Sequence, residues 1–343
     1  MTGKNKKSLM QFVVLLSIGI LLVWLSLRQV APQKDNIINA FKNANYFWIA
    51  VSMLISVLSH FLRAYRWNYL LRPVGQKTNL LNATCEVLVG YLANYGIPRM
   101  GEVTRCTLAA KYDNVPFEVG FGTVITERII DFLLFLIIFA LTLLVQFNEL
   151  IGLANEYVFD KARAKFSGIG DDPVKLFMLV VILLALVAAF MFLRKKFSSL
   201  LKGKFGSILK GMGEGIGSVR KMESPVRFVV LSLAIWACYF YALYVGFFAI
   251  EGTSHLGMKE CLTLLLLGTF GVIFSPGGLG AYPLILYGIL VNTYHVDEVS
   301  AFALPWLGWT SQFLLIVVLG VLSLIILPLY NRKKNVVSQT TQV

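Results

Sequence analysis

Long apolar runs separated by short charged segments make up most of this chain, and the places where the pattern breaks are the informative ones. Leu9 to Leu27 is apolar for about the length of one membrane span and follows a polar start with Lys4, Lys6 and Lys7. Tyr46 to Leu70, Phe117 to Phe147, Val174 to Leu193, Phe228 to Ile250 and Ala301 to Tyr330 are each long enough to cross a bilayer, which takes roughly 20 residues. Two further stretches are too short or too polar. Leu80 to Ile97 carries Asn82, Thr84, Glu86 and Asn94 and runs into Pro98, while Leu262 to Phe274 closes on SPGGLG and is followed by the short Tyr282 to Val291. Proline removes a backbone donor and turns the preceding residue away from helical geometry. The pattern predicts an all-α, polytopic integral membrane protein with about six full transmembrane helices. It adds two re-entrant or discontinuous helical hairpins, centred on Pro98 and Pro276.

Composition agrees with a membrane class. Hydrophobic residues form 57% of the 343-residue chain and charged ones 14%, with mean hydropathy +0.73, against roughly 25% charged in soluble domains. The formal net charge of +13 would suggest nucleic acid in a soluble protein, but here it collects between apolar runs. Residues 194–227 hold nine Lys and Arg against Glu214 and Glu223, whereas 148–172 hold five acidic and three basic residues. Lys and Arg mark cytoplasmic loops, so both termini are expected in the cytoplasm, within a bacterial cytoplasmic (inner) membrane. Residues 1–334 read as one transmembrane domain and 335–343 as a short cytoplasmic tail. The basic 194–227 segment either sets topology or lies on anionic headgroups. Cys85, Cys106, Cys238 and Cys261 have no paired spacing and read as small core residues.

Charges inside apolar runs carry the candidate chemistry, because ionisable groups at membrane depth are costly unless paired or used. His60, Arg63 and Trp67 recur at three- and four-residue spacing on one helix face, with Arg66 beside them. NYGIPRMGEVTR places Asn94, Pro98, Arg99, Gly101, Glu102 and Arg105 around one break. Glu127 and Asp131 are four apart, so the two carboxylates share a face and repel, with Arg128 between them in sequence. Basic groups elsewhere, such as Arg63, Arg66, Arg99 or Arg105, are expected to balance them. Gly90 precedes Pro98 by eight residues, as Gly268 precedes Pro276, and opposed broken hairpins would form a possible inverted repeat. A buried ion-pair network that only holds helices together remains open beside a site where guanidinium forks meet phosphate oxygens. No zinc, glycine-rich phosphate-loop or nucleophile motif is evident. No cofactor, metal, catalytic residue or nucleic-acid partner is therefore expected.

The motifs HFLRAYRWNYLLRPVG, NYGIPRMGEVTR, TERIIDFL and SPGGLGAY, in that order, resemble the membrane domain of lysylphosphatidylglycerol synthases/flippases and their stand-alone flippase-like relatives. The resemblance covers nearly the whole chain. It implies roles for Arg63, Arg66 and Trp67, for Pro98, Arg99, Gly101, Glu102 and Arg105, for Glu127, Arg128 and Asp131, and for Pro276, Gly278 and Gly280. It implies translocation of an anionic phospholipid or polyprenyl-linked lipid, with a separate lipid-modifying enzyme as a possible partner. Ala281, Tyr282 and Pro283 stand where that family often has a glutamate, and only a short polar tail follows Arg332. An integral membrane transferase acting on a lipid-linked substrate and a scaffold for a separate synthase are the alternatives.

Overall fold

The computed structural model describes residues 17, 19–24, 26–28, 31–97, 100–146 and 224–340. Among them every regular element is helical: α1 Lys34–Lys42, α2 Tyr46–Leu71, α3 Leu80–Gly96, α4 Met100–Tyr112, α5 Phe117–Val145, α6 Pro225–Gly246, α7 Met258–Phe274, α8 Ala281–Asn292 and α9 Glu298–Thr340. Local chemistry sets several starts. The Asn45 and Asn79 side chains accept from Phe47 N and Leu81 N, satisfying amides that a helix N-terminus leaves without partners. Pro225 occupies the first turn of α6, where its missing N–H is harmless.

The expected count of about six full spans plus two re-entrant hairpins is corrected here. Among the described residues three helices are long and apolar enough to cross a membrane: Tyr46–Val74, Pro225–Ala249 and Glu298–Arg332. The helices flanking the two breaks have 17, 13, 17 and 12 residues, short of the roughly 20 that a span needs. Four charged residues interrupt the first half of α5, Glu118, Glu127, Arg128 and Asp131. The expected spans at 9–27 and 174–193 lie largely or wholly outside the described residues, as do the acidic segment 148–172 and nearly all of the basic segment 194–227. The possible inverted repeat, read from the matching Gly–Pro spacings, needed two opposed re-entrant hairpins and falls with them. The protein is a multi-pass membrane protein.

Among the described residues two large apolar cores hold the helices, beside a small cluster of Cys85, Val89 and Leu327. One joins α2, α3, α4 and α5 through Trp67, Leu70, Leu71, Val87, Cys106 and Val124. The other joins α1, α7, α8 and the start of α9 through Leu264, Leu286, Leu290, Phe302 and their neighbours. The long helix α9 packs against α3 as well as α8, tying the two cores together. Outward faces stay apolar, with Leu54, Val229, Val230, Leu233, Val318 and Ile325 exposed. In water such a band would be a liability; in a bilayer it is the lipid-facing surface. The four cysteines are free and buried.

Backbone contact explains two glycines. A Cβ on Gly101 would collide with Gly90 O and sit 2.6 Å from Asn94 Nδ2, so α3 and α4 meet backbone to backbone. At the second break Gly277, Gly278 and Gly280 have φ of 58°, 80° and 71°, a region that side-chain-bearing residues rarely adopt. A tight turn at Pro276–Gly278 thus reverses the chain between α7 and α8.

Candidate functional site

Four helices each turn polar side chains inward at helical spacing. From α2 come Arg63, Arg66 and Trp67, from α4 Arg105, from α5 Thr123, Glu127 and Asp131, and from α6 Ser232 and Tyr239. Arg66 is fully buried and donates to Asp131 Oδ1 at 2.7 Å, Ser232 Oγ at 2.8 Å and Glu127 Oε1 at 2.9 Å. Arg63 donates to Asp131 Oδ2 and to the Tyr239 hydroxyl, both at 2.9 Å, and lies 3.6 Å from Glu127 Oε1. Arg105 donates to Glu127 Oε2 at 2.8 Å while its guanidinium lies 3.8 Å from the centre of the Trp67 ring. Trp67 in turn donates its indole N–H to Thr123 Oγ1 at 2.9 Å.

This arrangement answers the repulsion between Glu127 and Asp131, since each carboxylate accepts from two guanidiniums. Short charge-assisted bonds of this kind are the strong ones. The cluster is nonetheless unbalanced: three buried guanidiniums face two buried carboxylates, which leaves one net positive charge in a buried region.

Glu102 and Arg128 form a separate pair at 2.8 Å. Their side chains are 22% and 43% exposed, and they face a cavity of about 590 Å³ where the two broken helix pairs approach α9. Asn94, Tyr91 and Tyr95 of α3, Pro276 and Gly277 of the second turn, Tyr282 of α8, and Trp309 and Gln312 of α9 complete much of its wall. Asn94 Oδ1 accepts from Gly101 N at 2.7 Å and so supports the start of α4. Trp309 donates to Gly277 O at 2.9 Å and fixes the glycine turn. A volume of roughly 300–1,000 Å³ with mostly apolar and aromatic walls and a few polar groups is typical of a small-ligand site. A second, narrow cavity of about 20 Å³, lined by Arg63, Arg105, Tyr91, Asn94, Glu102 and Arg128 among others, borders both the large cavity and the arginine cluster. That is room for about one water.

Sequence-derived candidates therefore fall into three groups. Arg63, Arg66, Trp67, Arg105, Glu127 and Asp131 meet in the buried cluster. Asn94, Glu102, Arg128 and Pro276 line the large cavity, with Gly278 beside it against Trp309 and Tyr282. Gly101 and Gly280 permit close backbone approaches, Gly280 against Gly19 and Leu22. Pro98 and Arg99 lie outside the described residues. Sequence reading missed Thr123, Ser232 and Tyr239 as partners and Tyr91, Tyr95, Trp309 and Gln312 as cavity walls. Ser232 and Tyr239 did leave a signal, since they lie seven residues apart on one face of an otherwise apolar helix. Among the described residues no group of three or more His, Cys, Asp and Glu is placed to hold a metal ion.

Residues 11–320 match the family model for the lysylphosphatidylglycerol synthase TM region, and the chain belongs to that family. Over 105 residues, 30% of this chain and 31% of the relative, it is 29% identical to a UPF0104 membrane protein of Methanocaldococcus jannaschii. Over 118 residues, 34% of this chain and 19% of the relative, it is 27% identical to glycosyltransferase AglD of Haloferax volcanii. The chain thus covers about a third and a fifth of the lengths of these two relatives. No solved structure matches.

Proposed function

We propose that this protein translocates an anionic phospholipid or polyprenyl-linked lipid across the cytoplasmic membrane, with both of its termini on the cytoplasmic side. The headgroup occupies the large cavity while the tails remain in the bilayer. The observation that carries this reading is a cavity of about 590 Å³ with a part-exposed arginine in its wall, next to a cluster with surplus positive charge. Arg128 is the anchor. Its guanidinium is held by Glu102 through one 2.8 Å contact, which an incoming phosphate oxygen can replace with a bidentate fork. Asn94 and Gln312 offer amides to the headgroup, and Tyr91, Tyr95 and Trp309 offer flat apolar faces. Family membership and the exposed apolar band support a lipid-handling role.

The test is leaflet exposure of labelled lipid in liposomes reconstituted with purified protein, using phosphatidylglycerol and a polyprenyl phosphate in parallel. Intact protein is expected to equilibrate at least one of them between leaflets, and Arg128→Ala to slow it at least tenfold. Unchanged leaflet labelling with intact protein, for every lipid tried, sinks the proposal. Transfer of a chemical group to the lipid under the same conditions would point to the transferase alternative.

A further inference from the structure

Glu86, on α3 and outside both cavities, has 0% exposure, and neither of its carboxyl oxygens has a hydrogen-bond partner among the described residues. The charged groups acting on it are Asp113, at the end of α4, and Arg105. Cys85 beside it and Cys106 on α4 are the other titratable neighbours. From α9, Ser323 lies against Cys85 and Asn331 is bonded to Asn82, one turn before Glu86. His60 of α2 stacks on Tyr91, five residues after Glu86 on α3, and Glu127 of α5 accepts from Arg105. Arg105 uses Nη1 for Glu127, whereas its Nη2 and Nε are buried without partners. A buried carboxylate on α3 and two buried guanidinium donors on α4, all without partners among the described residues, thus lie on neighbouring helices.

An ionised carboxylate with no hydrogen bond is so costly in such surroundings that the group takes a proton instead. In the arrangement described, Glu86 is accordingly the neutral acid. Its ionised form becomes favourable only when Arg105 turns its idle donors toward it.

We propose that Glu86 is a proton-binding site linked through Arg105 to anion occupancy of the cavity. Resting on the translocation reading above, this makes the movement of lipid proton-coupled. With an anionic headgroup in the large cavity the surplus charge is neutralised, Arg105 stays on Glu127, and Glu86 keeps its proton. After the headgroup leaves, Arg105 swings to Glu86, whose proton departs to the water that the narrow cavity admits beside Arg105. No bond other than the O–H of Glu86 is broken, and Arg105 remains a cation throughout. Proton and anion therefore load together and leave together.

Infrared spectroscopy of the purified full chain tests the site independently of transport. A protonated-carboxyl carbonyl band is expected near neutral pH in intact protein, absent from Glu86→Gln and retained in Asp113→Asn. Should Glu86→Gln fail to fold, Arg105→Gln keeps Glu86 in place, and its band is expected to persist to higher pH than in intact protein. A band that survives in Glu86→Gln, or one whose pH dependence ignores Arg105→Gln, overturns the proton site. The coupling is read in liposomes containing phosphatidylglycerol, where a one-unit pH gradient can drive about a tenfold asymmetry of lipid between leaflets. Intact protein is expected to build that asymmetry and Glu86→Gln to equilibrate lipid without it. Lipid movement by intact protein that ignores the gradient overturns the coupling. If intact protein moves no lipid at all, the translocation reading fails, and the infrared result alone decides the proton site.

Discussion

Replacing Glu127 with glutamine keeps the shape of the buried cluster and removes one of its two negative charges. Glu127 is 1% exposed and bridges Arg66 at 2.9 Å and Arg105 at 2.8 Å. After the change Arg66 keeps Asp131, but Arg105 loses its carboxylate partner and retains only the face of Trp67. Removing one partner of a buried pair typically destabilises by about 3–5 kcal/mol, because the other charge is left uncompensated. A cation over an aromatic face offsets about 2 kcal/mol of such a loss at most, so a net loss of about 1–5 kcal/mol is expected. Asp131→Asn should destabilise less, by about 1–3 kcal/mol. Asp131 is 9% exposed, and both of its arginines still reach Glu127, at 2.9 and 3.6 Å. Reversible unfolding of purified protein in mixed detergent micelles would give the differences. The double variant Arg105→Met/Glu127→Gln removes the stranded cation together with its partner. It should recover part of the loss, with a coupling energy of about 1–3 kcal/mol. If Asp131→Asn proves more damaging than Glu127→Gln, or the double variant no better than Glu127→Gln alone, then Glu127 is not the hub of the cluster.

Other variants probe different parts of the same scaffold. Gly101→Val should abolish the α3–α4 contact, because its Cβ collides with Gly90 O and crowds Asn94; loss of monodisperse protein on size exclusion in detergent would register this, and normal behaviour would refute it. Ser232→Ala removes one of the three hydrogen bonds of Arg66 and should lower unfolding stability by about 1 kcal/mol. Arg128→Ala breaks only a part-exposed pair, worth about 0–1 kcal/mol; its unfolding midpoint should match that of intact protein even where lipid movement fails.

Much of the helical pattern was legible. The run from Tyr46 to Leu70 is helix α2, Tyr46–Leu71, and the polar stretch from Leu80 to Ile97 is α3, Leu80–Gly96. Apolar periodicity and asparagine caps are local signals, so they survive without tertiary context. Which helices cross the bilayer was less legible, because span counting judges a run by length and hydropathy alone. The run from Phe117 to Phe147 reads as a full span, yet α5 is not among the three helices long and apolar enough to cross, and its Glu127 and Asp131 each take two arginine partners from other helices. The spacing on α2 and α5 announced one polar face on each helix, but which guanidinium meets which carboxylate depends on how α2, α4, α5 and α6 pack. The cavity was illegible for the same reason. Trp309 and Gln312 lie in the middle of an apolar helix more than 200 residues from Asn94, and nothing local marks them as wall residues. Glu86 was visible as a polar residue in a short apolar run, yet its lack of partners is a property of the packed state alone.

The geometry also separates two requirements that the family motifs merge. Arg66, Glu127 and Asp131 line neither cavity, and Arg66 bonds both carboxylates at 2.7 and 2.9 Å, so a defect after changing them is first a defect of packing. Glu102 and Arg128 are the reverse case: close to the others in sequence, part-exposed, paired through a single contact and facing the large cavity. Neighbours in one stretch of α5, Glu127 and Arg128 thus point to opposite purposes because a helix turns about 100° between consecutive residues. Loss of activity in Glu127 variants therefore says little about a headgroup site, whereas loss in Arg128 variants with unchanged unfolding speaks for one. The narrow cavity is where the two meet, since Arg63 and Arg105 of the cluster share its wall with Glu102 and Arg128. On the translocation proposal, an anion held at Arg128 acts on the cluster across that gap, where Arg105, with two buried nitrogens lacking partners among the described residues against one each on Arg63 and Arg66, has the most donors left to answer it.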